Sequence, residues 1–363
     1  MQKGERNMEK RLTRLRRLME ERGIEALLIS HPVNRRYLTG FTGSSGWVVV
    51  TRREQILITD FRYRGQVKDQ APHFEFVEHQ GNPFADVKQI LDRSGVRSIA
   101  FEENHLTFSQ HRKLAESLGS LQTVPSSDLV ERLRLIKDEE EIQRIRDAVA
   151  VSDGAFERIL KEMRPGMTER DISLRLEFLM REAGAESSSF DMIIASGPRS
   201  ALPHGVASDR VLETGDLVTM DFGAYYQGYC SDMTRTVMLG SPSERQREIY
   251  GIVLEAQKRA IQAIKPGISG KEVDATARDY IRDHGYGEAF GHSTGHGLGM
   301  ELHEGPTLSY RNERGLEPGM VVTVEPGIYL PDVGGVRIED NVLVTDEGYE
   351  VLTKSPKELI QID

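Results

Sequence analysis

One phrase occurs twice in this chain, and both copies carry a carboxylate at the same place. LETGDLVTMDFGAY from Leu212 returns as LEPGMVVTVEPGIY from Leu316, so Asp221 in the first copy corresponds to Glu325 in the second. The correspondence extends upstream. RPGMTERDISLRLEFLMREAG from Arg164 is matched by KPGISGKEVDATARDYIRDHG from Lys265, and LPHG around His204 by LHEG around His303. A repeat of this length predicts two related halves packed about a pseudo-twofold axis, with paired acids facing one central site. A capping or turn acid need not recur in the same phrase, whereas ligands of one shared centre would.

The hydrophobic pattern divides the chain in two. Met8, Leu12, Leu15 and Met19 recur at helical spacing, and Ile24 to Ser30 reads as a buried strand once Gly23 closes that helix. Trp47 to Val50, Ile56 to Thr59 and Val96 to Phe101 predict further strands, with helices over Phe84 to Asp92 and Phe108 to Leu118. This mixed order defines a first domain, residues 1–135. From Lys137, KDEEEIQRIRDAV opens with acids suited to a helix N-terminus and carries Ile142, Ile145 and Val149 on one stripe. A second domain, residues 136–363, starts there. Thr168 with Asp171 three residues on has the pattern of a capping box ahead of Ile172, Leu176 and Leu179. Helices, then strands, then the same again predict an α+β class rather than a doubly wound sheet.

Composition excludes several roles. With 363 residues the chain has room for two cores. Its net charge of −10, from 47 basic and 57 acidic residues mixed along the chain, argues against nucleic acid as a partner. No apolar run is long enough for a membrane span, and the basic N-terminus lacks the apolar stretch of a secretory signal. Cys230 is the single cysteine and reads as a small buried hydrophobe in a reducing compartment. A cytoplasmic location is expected.

Five residues have the chemistry of metal ligands: Asp221 in MDFG, Asp232 in CSDMTRT, His296 in STGHGLG, Glu325 in TVEPG and Glu339 in VRIEDN. All lie in or beside apolar, β-rich stretches, so some of the carboxylates should point inward. Buried like charges need protons, basic partners or metal ions, and two divalent cations would balance four carboxylates.

From about Lys137 onward the chain resembles the pita-bread metallopeptidases, whose ligand order Asp, Asp, His, Glu, Glu matches these five positions without a gap. The resemblance implies that Asp232 and Glu339 bridge two metals, Asp221 chelates one, and His296 and Glu325 complete the shells. Carboxylate-rich sites with one imidazole suit Mn²⁺ and tolerate Co²⁺ or Zn²⁺. Paired cations make a water nucleophilic near neutral pH and polarise a scissile carbonyl, which is the chemistry of peptide hydrolysis. Glu325 is the implied proton carrier, and His204 and His303 are implied to stabilise the tetrahedral intermediate. His292 is implied to line the substrate pocket, with Tyr329 and Arg337 as further substrate-binding candidates. Arg337, two residues before Glu339, is expected either to orient that carboxylate through paired hydrogen bonds or to form a structural ion pair.

The first domain narrows the expectation. HPVNRRYLTGFTGSSGW from His31 resembles the creatinase-like N-terminal domain of the Xaa-Pro peptidase branch, aminopeptidase P and prolidase. This implies short proline-containing peptides as substrates and a homodimer. In some prolidases an arginine shortly after the HE motif holds the dipeptide's free carboxylate, but here His303, Glu304, Gly305 and Pro306 are followed by Thr307. Xaa-Pro dipeptidase and aminopeptidase P activities both stand. The alternatives are a metal-free peptide-binding or creatinase-like relative and a methionine aminopeptidase-like activity.

Overall fold

The computed structural model describes residues 3–363, which form two compact units divided between Arg134 and Leu135. The N-terminal unit is built on a six-stranded sheet of β1 (Ala26–Ile29), β2 (Trp47–Thr51), β3 (Gln55–Thr59), β4 (Glu75–Glu78), β5 (Ser98–Glu102) and β6 (Gln122–Ser126). The strand order is β4-β3-β2-β1-β5-β6. β1 sits inside the sheet, with all four residues of ALLI buried, while the edge strands β4 and β6 keep exposed positions. The helices are α1 (Lys3–Glu21), α2 (Pro32–Thr39), α3 (Arg64–Gln70), α4 (Pro83–Ser94), α5 (Phe108–Leu118) and α6 (Leu129–Arg134). The stripe on α1 buries Leu12, Leu15 and Met19. Sequence reading passed over α2, although Pro32 opens its first turn and Gly40 closes it in the left-handed conformation. Its apolar stripe is interrupted by Arg35, which is buried because it donates to the carbonyls of Gly43 and Gly46.

The C-terminal unit follows the repeat. In its first half, α7 (Glu139–Glu162) and α8 (Glu169–Glu182) lead into β7 (Ser187–Ser188), β8 (Ile193–Ser196), β9 (Leu217–Phe222), β10 (Ala224–Tyr226), β11 (Tyr229–Cys230) and β12 (Met233–Leu239). In its second half, α9 (Glu244–Ala263) and α10 (Gly270–Asp283) lead into β13 (Gly295–Gly297), β14 (Glu304–Leu308), β15 (Val321–Val324), β16 (Gly327–Leu330), β17 (Gly334–Arg337) and β18 (Asp340–Val344). Capping boxes stand at equivalent places, Thr168 with Asp171 at α8 and Ser269 with Glu272 at α10. Phe156, Ile159, Leu176 and Leu179 share one core with Val218, Met220 and Phe222. Val253, Ala256, Val273 and Ala277 share the other with Val322, Val324 and Val342.

Strand pairing delivers the acids to one place. β9 pairs antiparallel with β12, setting Asp221 opposite Thr234, and β15 pairs antiparallel with β18, setting Val324 opposite Asp340. Asp221 therefore lies near the end of β9, Asp232 one residue before β12, Glu325 one residue past β15 and Glu339 one residue before β18. Each half contributes one acid at a strand end and one at a strand start.

Arg235 on β12 ties these halves together from inside. It is 1% exposed, donates to the carbonyls of Thr234, Glu339, Ser355 and Pro356, and pairs with Asp340 Oδ1 at 2.7 Å. Asp340 Oδ2 accepts in turn from Gln257 and Lys357. Truncating one partner of such a pair strands the other charge in the core, so Arg235→Ala is expected to lose about 3–5 kcal/mol. Denaturant unfolding checks this, and a variant with the parent's midpoint would refute it.

Candidate metal centre

The strand ends close around a cavity of about 810 Å³ whose wall includes His204, Asp221, Asp232, His292, His296, His303, Glu325, Arg337 and Glu339. Tyr329 is not part of that wall. His296 reaches it because its neighbours lack side chains. β13 runs between β14 and β15, and a Cβ at Gly295 or Gly297 would overlap the carbonyl oxygens of Thr323 and Gly305. GHG is thus a strand whose one side chain is an imidazole. Its Nδ1 bonds to Gly297 O at 3.0 Å, leaving Nε2 at 3.5 Å from both Asp232 Oδ2 and Glu325 Oε1.

Donor atoms of Asp232, His296 and Glu339 lie within 4.8 Å of one another, close enough to share an ion. Asp221 and Glu325 border the same cavity outside that trio. Two of the acids are gripped by one oxygen and leave the other open. Asp221 Oδ2 accepts from Arg337 Nη2 at 2.6 Å, while its Oδ1 is buried without a donor. Glu339 Oε2 accepts from Thr234 Oγ1 at 2.6 Å, while its Oε1 is likewise buried without a donor. A buried acceptor with no donor costs about 1–3 kcal/mol, and more when charged. A divalent cation would satisfy both orphaned oxygens, so the residues present fit a metal.

The electrostatics agree. Burial, reinforced by the Asp232 charge, pushes Asp221 up to about 6 against the pull of Arg337, and Glu325 up to about 7 against that of His296. Burial and the Asp232 charge also raise Glu339 well above the carboxylate range. Burial opposes a charge on His296, but the carboxylates of Asp232 and Glu325 outweigh it and push the imidazole up to about 9. Without cations this cluster holds protons, which cation binding must expel.

Arg337 forms an ion pair, but not with its sequence neighbour Glu339. Its guanidinium pairs with Asp221, not with Glu339, and it reaches Glu339 only through Thr234, to which its Nε donates at 3.1 Å. The cause is the chain path: β17 ends at Arg337, whose backbone N–H bonds to Thr236 on β12, so the side chain crosses to β9. Tyr329 stands behind the cavity wall, accepting from Arg337 Nη1 at 2.8 Å and bonding to His292 Nε2 at 2.8 Å. Burial and the Arg337 charge hold His292 down to about 4, so it is neutral and accepts the tyrosine proton. His303 packs edge-on against His296 with ring centroids 4.4 Å apart, and both it and His204 are exposed to the cavity. Cys230 is buried, and burial pushes its thiol up to about 12, out of nucleophile range.

Sequence reading missed two threonines. Thr234 holds Glu339, and Thr323 donates to Glu325 Oε1 at 3.2 Å while accepting from the His296 backbone at 3.0 Å. The available signal was a threonine two residues from an acid in both DMT and TVE.

Two family models match successive parts of the chain. The creatinase/prolidase N-terminal domain covers residues 11–136 and metallopeptidase family M24 covers residues 143–346. The chain belongs to metallopeptidase family M24: it is a metallopeptidase with a creatinase-type domain ahead of a pita-bread catalytic domain, and divalent metal ions are implied at its centre. The structure of Xaa-Pro dipeptidase from Bacillus anthracis superposes with a TM-score of 0.96 at 52% identity, over 98% of this chain and 100% of that one. That of X-Pro aminopeptidase from Thermotoga maritima gives 0.90 at 43% identity, over 95% of this chain and 100% of that one. Xaa-Pro dipeptidase of Pyrococcus furiosus is 43% identical over 97% of this chain and 100% of its own length. Among the described residues no helix is long and apolar enough to cross a membrane.

Proposed function

We propose that the protein hydrolyses the Xaa-Pro bond at the N-terminus of short peptides, using two divalent cations held by Asp221, Asp232, His296, Glu325 and Glu339. The observation that carries this reading is the pair of orphaned oxygens, Asp221 Oδ1 and Glu339 Oε1, beside the trio of Asp232, His296 and Glu339 donors. Mn²⁺ is the proposed metal, because four carboxylates and one imidazole make a hard, oxygen-rich set. The cations supply a nucleophilic water and draw electron density from the scissile carbonyl. The chain supplies the rest. Glu325, on the cavity wall, takes a proton from the attacking water and returns it to the leaving nitrogen. His204 and His303, exposed on the cavity wall, donate to the developing oxyanion. Arg337 and Thr234 fix the orientation of Asp221 and Glu339, and Tyr329 holds Arg337 and His292 in place. We propose domain limits of 1–135 and 136–363, a homodimer and a cytoplasmic location.

Chain length beyond the proline is open to test. The names of the Bacillus anthracis and Pyrococcus furiosus relatives favour dipeptides, and that of the Thermotoga maritima relative favours longer ones. The cavity wall speaks for longer peptides. Its one guanidinium, Arg337, is already engaged by Asp221, Tyr329, Thr234 and the Pro203 carbonyl, and Thr307 on the wall brings no charge. A dipeptide's terminal carboxylate would therefore meet no guanidinium free to clamp it. Initial rates should favour Leu-Pro-Gly over Leu-Pro by roughly tenfold in kcat/KM, the scale of a polar group left unsatisfied. A preference for Leu-Pro would overturn this part of the reading.

A further inference from the structure

Among the described residues six carboxylates line the cavity, and five of them are accounted for. Asp221 pairs with Arg337, Asp232 and Glu325 face His296, Glu339 is held by Thr234, and Glu304 pairs with Lys137 at 3.1 Å. The sixth, Asp191, is exposed and has neither a hydrogen bond nor an ion pair among the described residues. Nothing in the chemistry above uses it.

Its direction follows from the strand it precedes. Ile193 opens β8 and lies directly opposite Asp221 on β9, so these two side chains share a face. Met192 and Ile194 point the other way, into the first-half core, while Asp191 and Ile193 line the cavity. The period-two alternation thus runs back through Asp191 and aims its carboxylate along the same wall as Asp221. Asp191 lies two residues before Ile193, about 6.6 Å along an extended chain, and so one step further than Ile193 from Asp221. A substrate α-ammonium is held by the scissile carbonyl and the acids around it. A lysine or arginine side chain on the same residue spans the gap.

We propose that Asp191 selects peptides whose first residue carries a cationic side chain, by pairing with its ammonium or guanidinium group. This rests on the Xaa-Pro reading above and names the residue before proline that the site favours. Phe190 and Ile193, which flank the carboxylate on the cavity wall, would cover the aliphatic stem of such a side chain.

The test compares kcat/KM for Lys-Pro-Gly and Leu-Pro-Gly in the Mn²⁺-loaded full-length protein and in Asp191→Asn, Asp191→Glu and Asp191→Lys. In Asp191→Asn the Lys/Leu ratio should fall about fivefold, the size of a well-placed accessible ion pair. Asp191→Glu should retain most of the ratio, and Asp191→Lys should shift preference to Glu-Pro-Gly. A Lys/Leu ratio unchanged in Asp191→Asn overturns the proposal. An equal loss on both peptides also overturns it, since that would put the carboxylate on the α-ammonium or in the fold. If the parent protein hydrolyses neither peptide, the Xaa-Pro reading itself fails, a separate result.

Discussion

Glu339→Ala is expected to abolish turnover and metal retention together. Its Oε1 is one of two buried carboxylate oxygens at the centre with no donor, and its donor atoms are within 4.8 Å of those of Asp232 and His296. Removing it takes away one of the residues that would hold the cations, so metal should be lost along with activity. A fall in kcat of about a thousandfold or more is expected, since the cations contribute several kcal/mol of charge stabilisation at the reacting atoms. Asp232→Ala should behave the same way. Elemental analysis after dialysis and initial rates in excess Mn²⁺ check both parts. A Glu339→Ala protein that keeps two metals and parental kcat would show that the orphaned oxygen serves some other purpose.

Removing the metal should make stability fall as pH rises between about 4 and about 9, a window set by ordinary carboxylates below and by His296 above. The sign follows from where the protons sit. Asp221, Glu325 and Glu339 have raised values in the folded, metal-free protein, so between the unfolded and folded values the native state binds more protons than the unfolded one. The contribution of this cluster to stability is then fully present below the unfolded values and is lost as pH climbs through the folded ones. The expected loss is on the order of a few kcal/mol for groups this buried. With cations bound the same carboxylates are neutralised and the decline should vanish, so the gap between metal-loaded and chelated protein widens with pH. Glu339→Gln should recover part of the metal-free stability at high pH while destroying activity. Denaturant unfolding with and without chelator at pH 5 and pH 8 measures this. A gap independent of pH would contradict the repulsion described for the cluster.

The metal centre was more legible in the sequence than its supports, for a physical reason. Duplication marked Asp221 and Glu325, because two strands of related sequence had to bring acids to one point, and β9 and β15 do end there. His296 was named for its ligand chemistry, and only the structure shows why Gly295 and Gly297 flank it, on a strand pressed between two others. The capping box at Thr168 is present, and its repeat-mate at Ser269 follows the same pattern. What stayed hidden depends on contacts across the fold. Arg337 was expected beside its sequence neighbour Glu339, yet its partner Asp221 lies on the opposite half of the repeat. Arg235 could not be told from a surface arginine until Asp340 and four carbonyls were seen around it. Asp191 drew no notice because its meaning lies in having no partner, which one sequence cannot display. The helix α2 was lost because its buried positions are filled by Asn34, Arg35, Tyr37, Leu38 and Thr39, only two of which read as apolar.

The most direct test is a metal titration of the stripped full-length protein, following initial rates on Leu-Pro-Gly and Leu-Ala-Gly as Mn²⁺ is added. The predicted result is no turnover without metal, a rate on the proline peptide that saturates near two equivalents, and little or no cleavage of the alanine peptide. Turnover that persists in excess chelator, or equal cleavage of both peptides, would contradict a metal-dependent enzyme specific for the Xaa-Pro bond.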